Sequence, residues 1–352
     1  TEEVYSVTEV VYSVYEYDSC NLLEKITKRK DDKSGVILEV FEYTYDDNGN
    51  TTKEKWTEYI DGVAQPTQVT AEYEYDWLNR QTSAEADGVE VTSEYNGEGL
   101  RVEKQVGGNT SRYLYEYSKV VLELDGEGEV SAKNTYGLNL ISREIDSDKY
   151  YYLYNGNADV TGLVTVTGEV YGTYYYDAFG NIIDETGGAD NPFRYKGYQY
   201  DEETGLYYLN SRMYDPVTAR FLQEDTYSGN SNDPLSLNLY TYCHNEPIMY
   251  WDPTGHNDIE NVERLLNDII RYKMIWVMAE KEKVGKPWFV PTPLVVFPTV
   301  NPSRVAINVI QISAHISANE AREEIKQSDL YKNNPDFQAE YDNYLLEDWG
   351  GQ

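Results

Sequence analysis

The chain has 352 residues, with 62 acidic against 29 basic side chains, a net charge of −33, and 36 Tyr beside 7 Phe and 6 Trp. A hydrophobic content of 40% suffices for a core and excludes wholesale disorder, no apolar run of about 18 residues offers a membrane span, and the charge argues against a shell that binds nucleic acid. Two Cys exclude a disulfide framework, and no Cys/His spacing suggests a metal, so no cofactor is expected.

The chain opens on a strand pattern. Residues 1–17 (TEEVYSVTEVVYSVYEY) alternate, with Tyr5, Val7, Glu9 and Val11 on one parity, and no signal-peptide pattern precedes them. Any export signal is therefore expected upstream of this segment. A Tyr-x-Tyr-Asp theme then recurs at Tyr15–Asp18, Tyr43–Asp46, Tyr73–Asp76, Tyr174–Asp177 and Tyr198–Asp201, with weaker copies at Tyr95 and Tyr113–Glu116. From Tyr75 through Tyr95, Tyr115, Tyr136 and Tyr154 to Tyr176 the spacing is 18 to 22 residues. That period fits one hairpin per repeat, two strands and two turns. Tyr suits a sheet because its ring packs while its hydroxyl finds a wet or polar boundary.

Turn chemistry follows the copies: Asp46-Asp47-Asn48-Gly49-Asn50, Asn96-Gly97-Glu98-Gly99 and Asp177-Ala178-Phe179-Gly180-Asn181. Gly and Asn supply the positive φ that tight turns require. Gly107-Gly108 reads as a hairpin turn and not a phosphate loop, because no Lys-Ser/Thr follows. Tyr113, Tyr115 and Tyr117 share a strand parity, Trp56, Trp77 and Trp251 read as packing residues, and Cys20 and Cys243 read as free buried thiols. The fold class read from the residues is thus mostly β, a solenoid or wound sheet of hairpins, with a smaller α-containing C-terminal domain.

The densest motifs lie in 171–256. They run Tyr174-Tyr175-Tyr176-Asp177-Ala178-Phe179-Gly180-Asn181, Phe193-Arg194-Tyr195-Lys196-Gly197-Tyr198, and Gly205-Leu206-Tyr207-Tyr208-Leu209-Asn210-Ser211-Arg212-Met213-Tyr214-Asp215-Pro216. Then come Ala219-Arg220-Phe221-Leu222-Gln223-Glu224-Asp225, Asn238-Leu239-Tyr240-Thr241-Tyr242, Asn245-Glu246-Pro247 and Asp252-Pro253-Thr254-Gly255-His256. Composition breaks after this block. Residues 257–352 hold 4 of the 36 Tyr and 3 of the 25 Gly, with 10 Lys+Arg against 15 Asp+Glu. Their first part is helix-like, with Asn257 and Glu260 as a capping box and Ile259, Val262, Leu265, Leu266, Ile269 and Ile270 at helical spacing. Residues 287–302 hold five Pro and must be extended, and Ser317 with Glu320 suggests a second capped helix. His315 with Glu320, Glu323 or Glu324 could form an acid–base pair, although a packed histidine beside solvated carboxylates is the plainer reading.

The block resembles the Rhs repeat-associated core domain of Rhs/YD-repeat polymorphic toxins, whose relatives include wall-associated proteins, the Tc toxin C component and teneurins. The resemblance is specific over 171–256 and looser over 1–170, where it rests on the Tyr-Asp repeats. It implies 1–170 as YD repeats, 171–256 as the core domain ending in the Asp252–His256 junction, and 257–352 as a variable effector. It further implies a β-hairpin ribbon wound into a shell segment with a core plug, a hollow shell that encloses its own C-terminal domain as cargo, secretion or cell-surface display, a role in competition between bacteria, and a cognate immunity protein. It also implies self-cleavage between His256 and Asn257 by aspartic-protease-type chemistry. Of two carboxylates held close, one keeps a proton and the other activates water. The matching residues are Asp225 and Asp252, with Arg212, thirteen positions before Asp225, to orient or charge-balance a carboxylate. This chain departs from the family pattern at His256, where Leu is usual, and at Thr226, where Pro is common. His256 is read as a tolerated substitution.

Plainer readings stand beside these. Asp252-Pro253-Thr254-Gly255 is also an ordinary turn, and Arg212 with Asp225 an ordinary ion pair. Exposed Tyr rows could stack on cell-wall carbohydrate, making the chain a structural or adhesive surface protein with an inert tail.

Overall fold

The computed structural model describes residues 10–137, 139–188, 191–229 and 234–256, and the backbone of 259–260. One antiparallel sheet of 17 strands runs from Val11–Tyr17 to Ile182–Gly187. It is a meander in which each long strand pairs with the next along the chain, from Val11–Tyr17 against Leu23–Lys30 to Val170–Tyr176 against Ile182–Gly187. Val63–Ala64 is a short side ribbon on Thr51–Ile60.

Two kinds of turn alternate at the strand ends. On one side sit two-residue turns such as Asp61-Gly62, Asp87-Gly88 and Gly107-Gly108, with both residues at positive φ, the geometry whose twist matches paired strands. On the other side sit five-residue turns that begin with Asp or Asn. In each, the first side chain accepts the N–H groups of the third and fifth residues, as Asp46 does from Asn48 (2.9 Å) and Asn50 (2.8 Å). Asp18, Asp76, Asn96, Asp125, Asn155 and Asp177 repeat the arrangement. The fourth residue is left-handed each time, for example Gly49 at 81°, Asn79 at 61° and Gly99 at 88°. The Asp of the copies ending at Asp18, Asp46, Asp76 and Asp177 is therefore a turn cap, whereas Asp201 of the last copy turns its carboxylate to Arg101 and Lys104.

In four copies the second Tyr of the motif ties its hairpin to the one before, whereas the buried Tyr176 hydroxyl has no hydrogen-bond partner among the described residues. Tyr45 donates to Leu23 O (2.9 Å), Tyr75 to Thr51 O (2.7 Å), Tyr95 to Gln81 O (2.7 Å) and Tyr115 to Arg101 O (2.8 Å). Each acceptor is the first residue after the preceding capped turn. Burial keeps these phenols protonated as donors and pushes Tyr45 up to about 12.

Residues 191–256 form a small body against the row of capped turns. Its four strands are Gln199–Asp201, Leu206–Tyr208, Met213–Asp215 and Arg220–Phe221. Tyr195, Tyr198, Tyr207, Tyr214 and Tyr242 pack with Leu209, Phe221 and Cys243 in its centre. Three of these hydroxyls take successive carbonyls of a single turn: Tyr195 bonds Ala178 O, Tyr214 bonds Phe179 O and Tyr207 bonds Gly180 O, at 2.8, 2.8 and 2.9 Å. Gly180 is required there, because a Cβ would stand 2.6 Å from the Tyr195 ring. Earlier turns reach the same body. Arg220 donates to Asn21 O (2.7 Å), Tyr240 to Gly49 O (2.8 Å), Thr51 N–H to Leu222 O (2.8 Å) and Lys196 to Asn157 Oδ1 (3.1 Å). Turns spread over the whole sheet thus converge on one core, so the ribbon must curve around it.

The strongest link is ionic. Arg101 and Asp201 are both buried and bond at 2.5 and 3.0 Å, with Lys104 at 2.9 Å from the same carboxylate. Burial pushes the Asp201 carboxyl up, but the charges of Arg101 and Lys104 outweigh it and hold it well below the usual carboxylate range.

Four expectations are corrected. Trp77 is 84% exposed, because the second position of a capped turn projects into solvent. Tyr117 is 92% exposed and at positive φ, because the strand Asn109–Glu116 ends before it in a tight turn. Cys20 is exposed in the first capped turn and Cys243 buried, both free. Ile259–Glu260, expected in a helix, is a strand paired with Tyr250–Trp251, because the chain folds back after the Asp252 turn. The rest of the helix expected from Asn257, the Pro-rich stretch, the second capped helix and His315 lie outside the described residues, as do Tyr5, Val7 and Glu9.

Two outcomes test this account. Tyr75→Phe keeps the ring but leaves the Thr51 carbonyl without its donor, and is expected to cost about 1–2 kcal/mol in chemical denaturation. For Asp201 the folded-state proton affinity is depressed, so its stabilisation is complete above about pH 4 and lost as pH falls below that. Asp201→Asn leaves Arg101 buried without its counter-charge, a loss of about 3–5 kcal/mol at neutral pH, and thermal melts should show a flatter acid limb than the wild type.

Candidate autoproteolytic site

The expected site residues reach one place by three routes. Arg212 immediately precedes the strand Met213–Asp215, and Asp225 follows the strand Arg220–Phe221 that pairs with it. The loop around Leu239 joins them: its carbonyl accepts from Arg212 Nη1 at 2.9 Å and from the Asp225 N–H at 3.0 Å. The Phe221 ring lies 3.7 Å beneath the guanidinium and fixes its plane. Asp252 arrives from the junction, clamped by the Tyr198 hydroxyl on its carbonyl (2.9 Å) and by Asn210 Nδ2 on the Pro253 carbonyl (3.1 Å).

Arg212 Nη2 stands 2.7 Å from Asp225 Oδ2 and 4.0 Å from Asp252 Oδ2. The two carboxylates therefore flank a single guanidinium nitrogen. Nε of the same side chain donates to the Gly255 carbonyl, one residue before His256. One buried cation thus touches both acids and the backbone of the junction.

The two acids are held differently. Asp225 is saturated: Oδ2 pairs with Arg212, while Oδ1 faces the Tyr227 N–H and His256 Nδ1, each at 2.9 Å. Asp252 is 0% exposed. Its Oδ1 accepts three N–H groups of its own turn, from Thr254 (3.1 Å), Gly255 (2.8 Å) and His256 (3.2 Å). Its Oδ2 is buried and has no hydrogen-bond partner among the described residues. Burial pushes the Asp252 carboxyl up, opposed in part by Arg212 and the turn amides. A buried acid with one oxygen free is suited to carry a proton.

The junction is a constrained loop. Tyr250–Trp251, just before the Asp252 turn, pairs with Ile259–Glu260, and His256 ends the described part of that turn. Gly255 has φ of 78°, and a Cβ there would lie 2.6 Å from the Leu209 carbonyl. Asn257 itself lies outside the described residues. The sequence supplied no signal for the parts played by Leu239, Phe221, Tyr198 and Asn210, which act through backbone carbonyls or a ring face.

The chain matches the teneurin YD-shell family over residues 3–248. The chain belongs to that family. It is 36% identical over 248 residues to the tRNA3(Ser)-specific nuclease WapA of Bacillus spizizenii, an overlap of 68% of this chain and 10% of that protein. It is 41% identical over 68 residues to the toxin protein Tse5 of Pseudomonas aeruginosa, covering 18% of this chain and 5% of Tse5. The crystal structure of TcdB2-TccC3-Cdc42 overlaps 70% of this chain and 15% of its own at 18% identity, with a TM-score of 0.45. The chain thus spans a tenth or less of these curated YD-shell relatives.

Gly255→Ala is expected to strain the junction by about 1–3 kcal/mol through its left-handed backbone and the clash with Leu209. Hydrogen exchange should show faster exchange at Thr254 and His256, with the capped turns of the sheet unchanged.

Proposed function

We propose that this YD-shell chain is the C-terminal part of an Rhs-type polymorphic toxin. In this reading the sheet over 1–170 is shell, 171–256 is the core domain that plugs it, and 257–352 is an effector that the shell encloses. The family match ends at residue 248, ahead of the composition break. Relatives named as a nuclease and as a toxin protein support a toxin role. Secretion or surface display and a cognate immunity protein follow from the same reading.

The chain would release its effector by cutting the His256–Asn257 bond. The observation that carries this is the buried Asp252, whose free Oδ2 faces the nitrogen that also holds Asp225, at the start of the turn containing the bond. Asp252 would supply a proton to the developing oxyanion or the leaving amine. Arg212 would hold both acids and fix the Gly255 carbonyl, so the bond is presented in one orientation.

Purified full-length chain is expected to give a fragment ending at His256 by intact-mass spectrometry, and Asp252→Asn is expected to abolish it while leaving the thermal melt of the sheet intact. Uncut wild-type chain across a pH series would refute self-cleavage. Expression of 257–352 alone should arrest growth; its harmlessness would favour an adhesive surface protein instead.

A further inference from the structure

We infer that His256, the residue whose carbonyl would be cut, supplies the base for its own cleavage. This rests on the self-cleavage reading and names the group that activates water in it. The decisive observation is the 2.9 Å contact between His256 Nδ1 and Asp225 Oδ1. Asp225 is already ion-paired with Arg212 at 2.7 Å, so it is a carboxylate with no proton to donate. The shared proton therefore sits on Nδ1, which leaves the Nε2 lone pair open. The ring is 29% exposed on its side chain, against 10% for Asp225 and 1% for Asp252. Of the titratable side chains at the junction, it is the one that water reaches readily. A carboxylate that fixes the tautomer and orientation of an imidazole is the arrangement in which histidine acts as a general base.

The charged groups that face the ring are Asp225 from the loop after Arg220–Phe221, Arg212 behind that carboxylate, and Asp252, which holds the His256 N–H at 3.2 Å. Together they pin both the side chain and the backbone of the residue. In the step proposed, Nε2 takes a proton from water as the water oxygen bonds to the His256 carbonyl carbon. The carbon–nitrogen bond to Asn257 then breaks, and the proton on Nε2 passes to the leaving amine. One water is consumed, one carboxyl and one amine are formed, and the imidazole returns neutral. Asp225 then orients the base and balances its transient charge.

The test uses the full 352-residue chain. His256→Asn can keep the bond to Asp225 through its amide N–H but carries no base at the Nε2 position. Cleavage is expected to slow by about 100-fold or more, and the Asn variant should lose the base-dependent limb of the wild-type pH–rate profile. His256→Ala should also be slow and should recover in part when free imidazole is added. Equal rates and equal pH profiles for wild type and His256→Asn would overturn the inference. If Asp252→Asn were inactive in the same experiment, self-cleavage by the acid cluster would stand without His256. Absence of cleavage in the wild type, or cleavage at another bond, would overturn both.

Discussion

Every part of this molecule depends on what happens to the carbonyls at the capped turns. A five-residue turn closed by an Asp or Asn side chain satisfies its own N–H groups, but leaves carbonyl oxygens pointing off the sheet edge. Tyrosine hydroxyls take them. Within the sheet, Tyr45, Tyr75, Tyr95 and Tyr115 do so at the residue that follows the preceding capped turn, as Tyr75 does at Thr51. In the core, Tyr195, Tyr207 and Tyr214 do so for one turn at Ala178, Gly180 and Phe179. The same chemistry links hairpins within the ribbon and attaches the 191–256 body to it, and at those positions it requires Tyr and not Phe. A Phe could pack in either place but would strand a buried acceptor.

Much of the fold was legible because it is local. The Tyr-x-Tyr-Asp copies, their spacing and the Gly and Asn after them specify strand, cap and turn within a dozen residues. What was hidden depends on distant partners. Arg101 meets Asp201 across a hundred residues of chain, and no local pattern marks either as buried. Trp77 misleads in the opposite sense, because a bulky apolar residue at an open turn position looks like a core residue in sequence. Ile259 misleads because helical spacing is a local signal and the ladder to Trp251 is not.

The site divides the same way. Arg212, Asp225 and Asp252 could be named from the motif block. Their arrangement around one guanidinium nitrogen could not, because it depends on Leu239, Phe221 and Tyr198 holding backbone and ring in place. The difference between the two acids follows from that arrangement. Asp225 has contacts on both oxygens and Asp252 keeps a buried, unbonded oxygen, so two residues of the same type sit in different environments. Nor does the motif block mark the contact of His256 Nδ1 with Asp225 Oδ1, at 2.9 Å.

The meander has a consequence for the order of events during synthesis. Each strand pairs with the one made just before it, so the ribbon can assemble as it emerges, one hairpin at a time. The core cannot: Arg220 must find Asn21, and Tyr240 must find Gly49, after nearly two hundred intervening residues have folded. The contacts that seat the core on the sheet therefore wait until both have been made, and a ribbon truncated before Tyr195 would leave the Ala178, Phe179 and Gly180 carbonyls without their tyrosine donors.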